Sequence, residues 1–208
     1  PVGRQRRNRI PPVNPSPLQS IKLGICTDGI EQQFLECILS LALTRPSFTY
    51  LEIGVAHGGT FRAVHNLLSS RTVPFKMIGI DPNEEFCKPL ESLPDTTIIC
   101  ATRAKAFETF TEELDFAFID GCHSIPCATG DFLSIEPLVK NGGIVVFHDF
   151  GEGSVGQLQP HCNLPCNPRQ ATMDLNLFNN TRQGWLRLSD WEGIKELNGA
   201  DCGVFQHN

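Results

Sequence analysis

Two rhythms of apolar residues alternate along this chain. Short unbroken apolar runs, rich in β-branched and aromatic residues, are separated by stretches in which every third or fourth position is apolar. The first helical stretch carries Ile30, Phe34, Leu35, Ile38, Leu39 and Ala42 on one stripe, with Asp28 placed to cap it and Pro46 ending it. A strand starts at Thr49, breaks at glycines, and gives way to a helix with Phe61, Val64, Leu67 and Leu68 on one face. Further strands are predicted at residues 75–80, 96–100, 114–119 and 144–147. Helices at 104–113 and 128–140 fall between them, followed by a turn at Asn141, Gly142 and Gly143. Strands and helices alternating at this spacing imply an α/β fold, a doubly wound parallel sheet with helices on both faces. Ligands of such sheets bind beyond the carboxyl ends of the strands. Glu52, Asp81, Asp120, His148 and Asp149 each close an apolar strand there.

Composition narrows the class. The chain has 208 residues, 40% apolar and 19% charged, which suits one globular domain with a sizeable core. No apolar run is long enough to cross a membrane, and the polar, basic start shows no secretory signal. Nine cysteines are an odd number in a chain of this size, and they read as reduced thiols of a cytoplasmic protein. Residues 1–20 combine Arg4, Arg6, Arg7 and Arg9 with Pro11, Pro12, Pro15 and Pro17 and read as an extended arm, leaving 21–208 as the single domain. The arm suits either an acidic partner or RNA, or simply a solvated tail. Without those arginines the chain has 13 basic and 23 acidic residues, a poor surface for nucleic acid.

The loop after the first strand reads Glu52-Ile53-Gly54-Val55-Ala56-His57-Gly58-Gly59-Thr60. Its glycines allow close backbone approach, and the helix that follows turns its N–H groups toward a ligand. Ala56 stands where a dinucleotide fingerprint requires its second glycine, which disfavours a dehydrogenase. The spacing E-x-G-x-x-x-G-G instead resembles motif I of the class I S-adenosylmethionine-dependent methyltransferases. Asp81 ends the second strand, 27 residues after Gly54, where a carboxylate accepts ribose hydroxyls.

The resemblance sharpens further on. Phe118-Ile119-Asp120-Gly121-Cys122-His123, then Asp131, then Leu138 through Gly142-Gly143 to Phe147-His148-Asp149, resembles the methyltransferase-24 group over about residues 48–150. It departs at Ile125, where that group usually has tyrosine. The resemblance implies a Rossmann-like, seven-stranded sheet, mostly parallel with an antiparallel last strand, the sixth near 186–189 and the seventh at 202–206. It implies S-adenosylmethionine as cofactor, held by Glu52, Gly54, Ala56, Gly58, Gly59, Thr60, Asp81 and Asp120. Glu52 would act on the cofactor's ammonium end through the loop and water. The acceptor would be a hydroxylated small molecule or sugar, and a homo-oligomer is compatible with this reading.

Two chemistries suit the strand ends. Asp120, His148 and Asp149 are placed to hold a divalent metal such as magnesium, which polarises an acceptor hydroxyl, although a histidine favours softer ions. Without metal, His123 or His148 serves as general base, so Asp120, His123 and His148 form the catalytic set. His57 and His65 are expected on loop and helix surface, and Trp185 and Trp191 in packing. Cys122, His123, Cys127, His161, Cys162 and Cys166 lack the repeated C-x-x-C of strong zinc sites, leaving open a structural zinc joining the two loops, or a metal or disulfide at Cys162 and Cys166. The long irregular stretch after Phe150 reads as a lid or substrate loop. A cap-type nucleic-acid methyltransferase would need a second lysine between Lys140 and Lys195, where the chain has none. A non-catalytic cofactor-binding module is the other alternative.

Overall fold

The computed structural model describes residues 31–151, 155–159, 162–188 and 202–208. The arginine arm, the cap at Asp28, His161 and Trp191 lie outside the described residues. In chain order the elements are α1 (Glu31–Ala42), β1 (Phe48–Ile53), α2 (Gly59–Ser69), β2 (Phe75–Asp81), α3 (Glu84–Cys87) and β3 (Thr96–Cys100). Then come α4 (Arg103–Ala106), β4 (Leu114–Ile119), α5 (Ile125–Ile135), β5 (Val139–Phe147), α6 (Pro168–Asp174), β6 (Trp185–Arg187) and β7 (Gly203–His207).

The seven strands form one sheet in the order β3-β2-β1-β4-β5-β7-β6. β1 to β5 run parallel, and β7 is antiparallel to both β5 and β6. The chain winds outward from β1 in one direction, then returns through β4 on its other side. The β1/β4 boundary is therefore the switch point where such sheets open a ligand crevice. This is the expected doubly wound, Rossmann-like sheet.

Period-2 alternation sorts the strand residues to two cores. Tyr50, Phe116, Phe118 and Val146 pack under α1 and α2 with Phe34, Phe61 and Leu67. Leu51, Ile119, Phe147 and Phe205 pack on the other face against Phe132 and Ile135 of α5 and Ala171 of α6. Strands buried on both faces read as continuous apolar runs, which is why the sequence marks them so clearly.

Helix limits differ from expectation for local reasons. The helix expected at 104–113 is only the single turn of α4, because Ala106 is its one buried position and no apolar stripe continues. Phe107 and Phe110 instead pack edge to face at 5.4 Å. α5 starts earlier than expected, at Ile125 with Pro126 in its first turn, and Pro137 converts its end into a 3-10 turn at Glu136–Leu138. Asn141, Gly142 and Gly143 are not a free turn. β5 already begins at Val139, and its register against β4 shifts between Leu114 and Phe116, with Gly142 at φ +75. Inside the stretch expected to be loop, Asn167 caps α6 by accepting from Gln170 N. Trp185 is core, as expected. His65 is not on the surface: it is buried, with Nε2 3.0 Å from the Pro94 carbonyl.

Candidate active site at the carboxyl edge of the sheet

β1 and β4 converge where they end. Asp120 N donates to Ile53 O at 2.9 Å, Gly54 N to Ile80 O at 2.8 Å, and His148 N to Ile119 O at 3.0 Å. The glycine loop thus begins flush against the first residue after β4. A Cβ on Gly54 would stand 2.4 Å from the Asp120 carbonyl oxygen, and its φ is +90, so both space and backbone demand glycine. Gly58, at φ +76, caps α2 and leads into Gly59 and Thr60, whose N–H groups open the helix.

Asp81 organises this loop from the neighbouring strand. Its Oδ2 accepts the Ala56 N–H at 3.0 Å, holding Ala56 at φ +43, and its Oδ1 accepts the Asn83 N–H at 2.9 Å. Each carboxylate oxygen keeps a further lone pair for a ribose hydroxyl. His57 sits in the loop, as expected, against the Phe86 ring at 4.6 Å.

Glu52 lies beneath the loop. It is 1% exposed, and its Oε2 accepts the Tyr50 hydroxyl at 2.7 Å. Burial pushes its carboxyl well above the usual range, only partly offset by that hydrogen bond, with the Asp120 charge adding to the rise. Any influence of Glu52 on a ligand therefore passes through the loop it supports. Tyr50 was not singled out by the sequence, although the i, i+2 spacing puts both side chains on one face of β1.

The polar cluster stands one strand further on. Asp120 Oδ1 faces His148 Nδ1 at 2.8 Å and His123 Nε2 at 3.2 Å, and Asp149 Oδ2 faces His123 Nδ1 at 2.7 Å. His148 Nδ1 is also 3.5 Å from Asp149 Oδ1. All four expected residues meet. Their pairing differs from the expected metal set of Asp120, His148 and Asp149, since Asp149 sits behind His123 and the three converging donors are Asp120, His123 and His148. The His123 Nε2 and His148 Nδ1 atoms are buried and within ion-pair distance of Asp120, yet outside hydrogen-bond geometry.

Burial alone would raise the Asp120 pKa, but close contact with the two rings outweighs it and holds the carboxyl below its usual range. Burial would lower both histidines. Asp120 and Asp149 reverse this, lifting His123 to about 9 and raising His148 as well. Asp131 on α5 is nearby and buried, and burial pushes its carboxyl up to about 7 against the opposing pull of Arg103 and His123. Arg103 reaches it at 3.6 Å and also donates to Cys127 O at 3.1 Å. It can do so only because Gly130 lacks a Cβ, which would lie 1.7 Å from Arg103 Nη1. The sequence signal for this arginine was a glycine in mid-helix.

Of the cysteine and histidine candidates, the structure gathers Cys122, Cys127 and Cys162, while Cys166 lies beside His123 and Asp149. No helix among the described residues is long and apolar enough to cross a membrane.

Comparison with known proteins bears on this geometry. The family model described as a methyltransferase domain, methyltransferase-24, matches residues 51–150. No curated protein matches the sequence. Among solved structures, a Klebsiella pneumoniae protein assigned as an O-methyltransferase superposes with a TM-score of 0.61 at 13% identity, over 90% of this chain and 83% of that one. The plantazolicin methyltransferase BpumL, solved with a substrate analogue and S-adenosylhomocysteine, gives 0.55 at 15% identity over 87% and 86%. The Bacillus cereus O-methyltransferase, solved with S-adenosylhomocysteine, gives 0.57 at 14% over 86% and 80%. The matched segment spans the glycine loop, Asp81, Asp120 and the His148-Asp149 strand end, so residues 51–150 match a methyltransferase domain, on a fold shared with class I, S-adenosylmethionine-dependent enzymes.

Proposed function

We propose that this enzyme transfers the methyl group of S-adenosylmethionine to a hydroxyl oxygen of a small molecule or sugar. One observation carries the reading: the Asp120–His123–His148–Asp149 cluster lies at the ends of β4 and β5, and the Asp120 backbone abuts the glycine loop at Gly54. The cofactor brings a reactive methyl, so the protein has to orient the acceptor and take its proton. His148 has Nδ1 turned to Asp120 and Asp149, which leaves Nε2 for the acceptor. In this scheme the acceptor O–H gives its proton to His148. The resulting oxygen anion attacks the methyl carbon, the carbon–sulfur bond breaks, and S-adenosylhomocysteine leaves. Asp120 steadies the imidazolium that forms. His123, clamped between Asp120 and Asp149, is a second basic group on the same face.

The donor set also fits a divalent cation, because two buried ring nitrogens without hydrogen bonds converge on one carboxylate oxygen. Asp120, His123 and His148 would hold it, with Asp149 orienting His123 from behind, and two imidazoles suit zinc or another softer ion better than magnesium. Such an ion would supply Lewis acidity toward the acceptor hydroxyl. A cytoplasmic setting and a non-nucleic-acid acceptor belong to the same proposal, supported by the acidic charge balance of the body.

The test is turnover on a panel of hydroxylated acceptors, with and without chelator. His148→Ala is expected to lower turnover by about 10²–10⁴-fold, the span general-base catalysis supplies. Activity that chelator removes and divalent ions restore assigns the cluster to metal; activity that chelator leaves alone assigns it to the histidine. Full turnover in His148→Ala would refute the role given to this residue.

A further inference from the structure

Three thiols that the transfer chemistry does not use meet beside it. Cys122 lies two residues past Asp120, Cys127 is in the first turn of α5, and Cys162 belongs to the segment 162–167 that leads into α6. Their Sγ atoms all lie within 4.8 Å of one another, with Cys122 and Cys162 3.1 Å apart. Around a tetrahedral zinc with Zn–S bonds near 2.3 Å, thiolate sulfurs stand about 3.8 Å apart. No spacing exceeds 4.8 Å and that of Cys122 and Cys162 is 3.1 Å, so changes in spacing of about 1 Å or less would complete the site.

The Ser124 hydroxyl stands 3.3 Å from Cys122 Sγ, a polar neighbour of the kind that orients a metal ligand.

We propose that Cys122, Cys127 and Cys162 form a zinc site that fastens the segment 162–167 to the β4–α5 connection. Three soft sulfur donors select zinc over magnesium or calcium, and it is the sulfur ligation itself that separates this site from the Asp120 cluster. Zinc binding releases the three thiol protons, leaving a site of net charge −1, and water fills the fourth position. The consequence for the molecule is local. His123 lies between the two halves of the clasp: its N–H donates to Gln159 Oε1 at 3.3 Å and its carbonyl accepts from Asn167 N at 2.9 Å. A bridge between Ser124 and Cys166 adds to the same seam. Locking Cys162 to Cys122 and Cys127 therefore fixes the segment that frames His123. The inference stands on the thiol geometry and does not depend on which acceptor is methylated.

Cobalt reports on it directly. Cobalt(II) added to the reduced, metal-stripped full-length chain is expected to give a sulfur-to-cobalt charge-transfer band in the near ultraviolet, saturating at one equivalent and displaced by zinc. Cys122→Ser, Cys127→Ser and Cys162→Ser should each weaken zinc binding by more than the roughly 10–100-fold that loss of an outer-shell partner costs. His148→Ala, which changes the other cluster, should keep the band. Circular dichroism of each stripped variant controls for folding, and zinc should raise the wild-type melting temperature by more than that of Cys162→Ser. Three results would overturn the proposal: absence of the band in the folded, reduced wild type, a band that survives all three serine variants, or a Cys122–Cys162 disulfide in protein prepared with reductant.

Discussion

β4 carries an aspartate at each end of its span, and the two are used in opposite ways. Asp115, at the amino end, is fully buried: its Oδ2 takes the Lys140 ammonium at 2.8 Å and the Thr49 N–H at 2.9 Å, and Arg45 Nε lies 3.5 Å from Oδ1. It joins β4 to β1 and β5 by pairing with two fixed cations. Asp120, at the carboxyl end, shares one oxygen between two imidazoles that are titratable and badly aligned for hydrogen bonding. One end is closed for stability, whereas the other is left polar, strained and convertible. Parallel sheets place their chemistry at the carboxyl edge, and two aspartates five positions apart show the division of labour.

The contrast can be broken most forcefully at Asp115. Asp115→Ala leaves Lys140 and Arg45 facing a buried gap. The two cations are about one-quarter exposed, so the cost should fall at the low end of the buried-pair range, roughly 3 kcal/mol, read as a lower denaturation midpoint. Cofactor affinity of the folded fraction should not change. At the other end, Gly54→Ala forces a side chain against the Asp120 carbonyl at a positive φ. The strain should be about 1–3 kcal/mol, and calorimetry should show it mainly as weaker S-adenosylmethionine binding.

Titration sharpens the comparison further. The folded pKa of Asp131, about 7, lies above its unfolded value, so the fold prefers the protonated acid. Stability should therefore fall as pH rises from about 4 to 7, and Asp131→Asn should flatten that fall in urea titrations. His123 runs at higher pH. Its folded pKa of about 9 exceeds the free value, so its stabilisation is complete below about 6.5 and is lost through about 9. The smallest effect is kinetic: Asp149→Asn removes one cause of the raised His123 and His148 values, so the rising limb of the pH–rate profile should move to lower pH. An unmoved limb would mean that neither histidine sets it.

How much of this could be read from the chain depended on where the information lay. The central strands are apolar on both faces and end in polar residues, so the sheet, its order of ends and the four-residue cluster were all legible in local pattern. Helix ends were less so, because Pro137 and the lone buried Ala106 act through packing that a periodicity count overlooks. The partners within the cluster were not legible either. Asp149 backs His123 rather than joining the converging donors, a matter of side-chain direction after β5 and not of spacing. The thiols at 122, 127 and 162 were legible as candidates for a zinc joining two loops, but spacing could not tell that Cys162 rather than Cys166 completes the group. Tyr50 and Arg103 escaped for the same reason: their roles rest on what Glu52 and Gly130 allow them to reach.

We propose that the carboxyl edge of β4 performs methyl transfer, while the glycine loop and Asp81 hold the cofactor. S-adenosylhomocysteine formation by Asp120→Asn, measured beside its calorimetric affinity for S-adenosylmethionine, tests it most directly. The account predicts turnover reduced by at least about 10²-fold with cofactor affinity within a few-fold of wild type. Undiminished turnover in Asp120→Asn, or a folded wild-type chain that binds no S-adenosylmethionine, would contradict it.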